Sequence, residues 1–98
     1  MRIRFASRDL ERLDADANFT AGLPHAVVAA FRKRMQLIRA ATDERDLYQL
    51  KSLHFEHLKG RRKGQCSLRL NDQWRLVVTI QRYEEGKVVV IEEVTDYH

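Results

Sequence analysis

The sequence predicts an α+β fold, with N-terminal helices packed on one face of a small antiparallel sheet. Three observations predict it. The chain has 98 residues, which allows one hydrophobic core and a single domain over 1–98. Its first half repeats apolar residues at spacings of three and four, the period of a helix with one buried face. Its last third alternates apolar and polar residues around two turn signals, the period of strands.

Taken in order, Met1–Phe5 alternates Arg2 and Arg4 with Ile3 and Phe5, as a short edge strand does. Ser7 can cap a short helix, with Asp9 and Glu11 at its positive end and Leu10 and Leu13 on one side. Asn18–Leu23 reads as a loop ahead of Pro24, which suits the first turn of the main helix. That helix is expected over Pro24–Ala41, with Val27, Val28, Phe31, Met35 and Ile38 as its buried stripe. Its run Arg32-Lys33-Arg34 can be a solvated face or a nucleic-acid contact. Thr42 can cap a third, short helix anchored by Leu47 and Leu50, with Asp43 and Glu44 in its first turn.

From Leu53 the pattern turns to period two, weakly at first and then clearly at Cys66, Leu68 and Leu70. Asn71-Asp72 supplies a hairpin turn, and Trp74, Leu76, Val78 and Ile80 follow on one face of a central strand. Glu85-Gly86 makes the next turn, before the β-branched run Val88–Val94.

Charge is unevenly spread. Residues 51–82 carry a balance of +6 and residues 83–98 one of −4, within a net +4. A basic middle is the profile of a protein that meets polyanions. No apolar run is long enough to span a bilayer, and the opening residues lack an apolar stretch of signal-peptide length. With a single cysteine and no possible internal disulfide, a cytoplasmic location is expected, with no membrane partner.

Chemistry can sit in few places. Lys59, Arg61, Arg62 and Lys63 lie within five positions, bracketed by Gly60 and Gly64, and can cradle phosphates or be a solvated loop. Arg75 follows Trp74 at a strand start; it can grip a phosphate bidentately or pair with Glu92 or Glu93 across the sheet. The closing Asp96-Tyr97-His98 offers three groups able to exchange or share protons. His54, His57, Cys66 and His98 lack the paired spacing of a zinc site, so no metal and no other cofactor is expected. Cys66 reads as a small core residue.

The run Leu58-Lys59-Gly60-Arg61-Arg62-Lys63-Gly64-Gln65, then Ser67, then Asn71-Asp72-Gln73-Trp74-Arg75-Leu76, and finally Asp96-Tyr97-His98, resembles the HigB-type toxins of the RelE/ParE superfamily. The combination is specific, and the resemblance covers essentially the whole chain. It implies a compact microbial-RNase-like fold and a toxin that cleaves mRNA on the translating ribosome. It also implies a helix-turn-helix, DNA-binding antitoxin of the HigA kind, through which operator DNA is met indirectly. By position, Lys59, Arg75, Asp96, Tyr97 and His98 match residues the family uses at its active site. Some relatives carry a catalytic histidine, followed by proline, two residues before the leucine of Leu-Lys-Gly; here those positions hold Glu56 and His57. Either residue can stand in, and His57 points to the opposite face from Glu56 if the segment is a strand. A gyrase-poisoning toxin of the ParE kind, and an inert binding module in a repressor complex, are the alternative readings.

Overall fold

A computed structural model describes residues 1–96. Strand β1 (Arg2–Phe5) is followed by three helices, α1 (Arg8–Ala15), α2 (His25–Ala40) and α3 (Glu44–Gln49). Strands β2 (Glu56–His57), β3 (Cys66–Arg69), β4 (Trp74–Tyr83) and β5 (Gly86–Asp96) complete the chain. They form one sheet in the order β1-β5-β4-β3-β2, so β4 is central as its two-sided apolar character predicts.

The expected antiparallel sheet is antiparallel from β2 through β5, but β1 runs parallel to β5, pairing Ile3 with Val89 and Phe5 with Ile91. A parallel pair needs a long crossover, and everything from α1 through β4 lies between these two strands. All three helices lie on the sheet face that carries Leu68, Leu76, Val78, Val89 and Ile91. Phe31, Met35 and Ile38 of α2 are fully buried there, beside Leu13 of α1 and Leu47 of α3. Cutting such a side chain back to alanine typically costs about 2–5 kcal/mol.

Several details differ from expectation. Pro24 sits just outside α2, with its carbonyl accepting from the amides of Val27 and Val28. Asp43, not Thr42, caps α3, because its carboxylate reaches the Arg45 amide; the Thr42 amide instead donates to Asp46 Oδ2. Leu50 is exposed and anchors nothing, since α3 ends before it. The segment from Leu53 is no extended strand: Lys51–Leu53 is a 3-10 turn that buries Leu53, and His54 adopts a left-handed conformation (φ 46°). Only Glu56 and His57 then pair with β3.

Candidate active site

The sheet face away from the helices carries the candidate chemistry. Strand alternation and register fix its occupants. One row reads Glu56 on β2, Ser67 on β3, Val77 on β4 and Glu93 on β5. The adjoining row reads Arg69, Arg75 and Thr95. Glu56 and Arg75 are thus two strands and two positions apart, about 12 Å between backbones at ordinary sheet spacings. That gap suits two long side chains reaching toward one phosphate.

The basic segment arches over this face. The Leu58 amide donates to the Gln65 carbonyl at 2.9 Å and closes the loop. Gly60 and Gly64 both take positive φ (66° and 96°), which explains why two glycines bracket the cations. Arg62 crosses from the loop to Glu93 on β5, Nη1 to Oε1 at 2.6 Å, and also reaches Gln65 Oε1 at 3.2 Å. Ser67, Val77 and Leu58 are buried although they lie outside the helix-side cluster. Lys59, Arg61 and Lys63 remain exposed, and none of them takes part in an ion pair among the described residues.

The turn before β4 positions two further candidates. Asn71 Oδ1 accepts from the amides of Gln73 and Trp74 at 2.9 and 2.8 Å, a side-chain-closed turn. Arg75 Nη1 donates to the carbonyls of Asn71 (2.8 Å) and Trp74 (3.1 Å), so that turn holds the guanidinium. Of the two anticipated partners, Glu92 and Glu93, the second pairs with Arg62. Gln73 Nε2 donates to Asp96 Oδ2 at 2.8 Å, tying the end of β5 to the same turn. Tyr97 and His98 lie outside the described residues.

His57 is set apart from Glu56. It pairs with Cys66 on the helix side, with Nδ1 3.3 Å from Cys66 Sγ and its ring 6.1 and 6.2 Å from those of Tyr48 and Phe55. Burial pushes the Cys66 thiol up to about 11, with Glu44 adding to the shift, so it stays protonated and a poor nucleophile near neutrality. The run Arg32-Lys33-Arg34 is largely structural: Arg32 donates to the carbonyls of Leu13, Asp16 and Phe19, and Arg34 to that of Arg69. Arg69, Glu93 and Thr95 are the face residues that sequence reasoning did not single out as a site. Arg69 was legible in the β3 alternation; the other two depend on a bulge, which the sequence does not announce.

Among the described residues no three His, Cys, Asp or Glu side chains converge as a metal site would require. A cavity of about 250 Å³ between α1 and β5 includes Glu93 in its lining, and one of about 310 Å³ lies between α2 and α3; neither is lined by Glu56, Lys59 or Arg75. Glu56 and Lys59 are exposed at this face, which suits a polymer better than an enclosed small molecule.

Comparison with known proteins agrees with this architecture. Residues 3–98 match the family described as the RelE-like toxin of the type II toxin–antitoxin system HigB. Toxin HigB-1 of Vibrio cholerae serotype O1 is 34% identical over 77 residues, which is 79% of this chain and 81% of that protein. YafQ from Escherichia coli strain BL21(DE3) superposes with a TM-score of 0.65 at 14% identity, over 98% of this chain and 93% of that one. A YoeB/ParE toxin from Agrobacterium tumefaciens gives 0.61 at 14% over the whole of both chains. The YoeB–YefM complex from Staphylococcus aureus gives 0.59 at 19%, over 100% and 97%. At these identities the three structures establish the fold.

Proposed function

Since the chain belongs to the HigB-like family of RelE-like toxins of type II toxin–antitoxin systems, we propose that it is a ribosome-dependent endoribonuclease that cleaves mRNA and so inhibits translation. The observation that carries this reading is the shared sheet face of Glu56 and Arg75 beneath the Lys59–Lys63 loop. A carboxylate and a held guanidinium on one sheet face are groups that cleavage by the RNA's own 2′-hydroxyl can use.

In the scheme Glu56 takes the 2′ proton as the 2′ oxygen attacks phosphorus. Arg75 and Lys59 face the charge that develops on the phosphorane oxygens. The bond to the 5′ oxygen breaks, and that oxygen takes a proton from His98, with Asp96 sharing the proton work and Tyr97 stacking on a base. The products are a 2′,3′-cyclic phosphate and a 5′-hydroxyl end. Cations around the phosphate do the work a metal does in other nucleases, and DNA is excluded as a substrate because it has no 2′-hydroxyl. Arg61, Lys63 and Lys59 contact RNA or ribosome phosphates, with Arg62 shaping the loop. The partner is an antitoxin, in this reading a helix-turn-helix protein of the HigA kind that brings operator DNA into the complex. Gyrase poisoning of the ParE kind is not favoured, because it has no use for this arrangement of base and cations.

The test is a labelled mRNA incubated with translating ribosomes and the purified chain. Cleavage of the mRNA on ribosomes, absent with free mRNA and absent with Arg75→Ala, supports the reading. Intact mRNA together with inhibited DNA gyrase overturns it.

A further inference from the structure

The open sheet face does not stop at the candidate site. Along β4, Thr79, Gln81 and Tyr83 continue the alternation that carries Arg75 and Val77. Register places Arg2 beside Val88 and Gln81, and Arg4 beside Val90 and Thr79. Arg2, Arg4 and Tyr83 are exposed, while Val88 and Val90 between them are 7% exposed. Gln81 binds the group together: its Oε1 accepts from Tyr83 Oη at 2.6 Å and from Arg4 Nη1 at 3.4 Å.

The geometry points to a second RNA contact here, in which the Arg2 and Arg4 guanidiniums take backbone phosphates and Tyr83 offers its ring to a base. It deepens the RNA-cleaving reading and rests on it. Charged side chains on an edge strand commonly do no more than keep other strands away. Arg4, however, is drawn inward over β5 to Gln81 rather than outward past the edge. None of the ion pairs among the described residues neutralises Arg2 or Arg4. Arg82 and Lys87, which alternate to the other face, are by contrast both held by Glu44. The adjacent carboxylates, Glu84 and Glu85, sit in the turn beyond Tyr83 and pair with neither arginine. Exposed aromatics beside unneutralised cations are the common platform for single strands. Six positions of β4 separate Arg75 from Gln81, about 20 Å of strand, so only RNA extending several nucleotides from the scissile bond reaches it.

The test combines Arg2→Gln, Arg4→Gln and Tyr83→Ser, all exposed positions, and measures binding of labelled oligouridylates of about 4 and about 12 nucleotides across a salt series. The longer RNA should bind the triple variant about tenfold more weakly, with a salt slope shallower by about one to two. The shorter RNA should bind both proteins alike. In the ribosome assay the variant should raise KM with kcat within about twofold. Equal binding of the long RNA by both proteins overturns the proposal, as does wild-type protein that binds no RNA. A variant that loses antitoxin affinity while keeping its RNA salt slope also overturns it and assigns the face to a protein. Failure of the cleavage reading is separately visible: wild-type protein then leaves mRNA intact on ribosomes, whatever the binding series shows.

Discussion

Glu56 and His57 are adjacent in sequence and face opposite sides of the sheet, and this decides which of them can serve the chemistry. Glu56 shares its face with Arg75, whereas His57 stands against Cys66, Tyr48 and Phe55. Glu56→Gln should therefore lower mRNA cleavage on ribosomes by about 10²–10⁴-fold with an unchanged melting temperature. His57→Gln should leave the rate within a fewfold; the reverse ranking moves the base to the other face. Arg75→Ala should cost about 10²–10³ in rate and, through its two carbonyl contacts, about 1–2 kcal/mol of stability. Arg75→Lys, which keeps the charge without the fork, should recover only part of the rate. The alternation at these positions was legible in the sequence, including that Glu56 and His57 diverge. That Arg62 and not Arg75 takes Glu93 was not, because the pairing depends on how far the Gly60–Gly64 loop folds back.

At the scale of elements, a six-residue helix has too few turns to hold itself and must be pinned by its neighbours. Glu44 pins α3 to the β4–β5 hairpin through Lys87 (2.8 Å) and Arg82 (3.0 Å), and those two cations, Lys87 first, pull its carboxyl down to about 2. A carboxyl depressed by folding stabilises the native state above its unfolded pKa and loses that contribution as pH falls through the folded value. Stability should fall by about 1–2 kcal/mol between pH 4.5 and pH 2 from this group, allowing for solvent screening at Arg82. Glu44→Gln should show that loss already at pH 7 and a flatter acid limb in chemical denaturation; identical acid limbs in both proteins would sink the idea. Helices and long strands were legible because their periods run for several turns or pairs. The parallel seat of β1 and the two-residue β2 were not, since neither partner choice nor a left-handed His54 leaves a periodic trace. The bulge opposite Val77 and Val78, which shifts the end of β5 by one residue, is equally silent in sequence.

Across the whole molecule, the cations that composition counts are partly neutralised within the fold, by carboxylates from the acidic C-terminal stretch, from the basic block itself and from the helical half. Glu93 neutralises Arg62, Asp72 neutralises Arg69, and Glu44 on the helical side neutralises Arg82 and Lys87. Of the four loop cations, Lys59, Arg61 and Lys63 thus reach solvent without an ion pair among the described residues, while Arg62 is spent on holding the loop to β5. A counted charge and an available charge are then different quantities, and salt dependence separates them. Each cation that meets a phosphate releases counterions and contributes about one unit to the slope of log affinity against log salt. Arg61→Gln with Lys63→Gln should therefore flatten the slope of ribosome binding by about two. Arg62→Gln should barely flatten it, because Glu93 already takes that charge, yet it should lower turnover by freeing the loop from β5. Equal slope changes at all three positions would mean that Arg62 leaves Glu93 for RNA on the ribosome, and that the loop opens rather than stays closed when it binds.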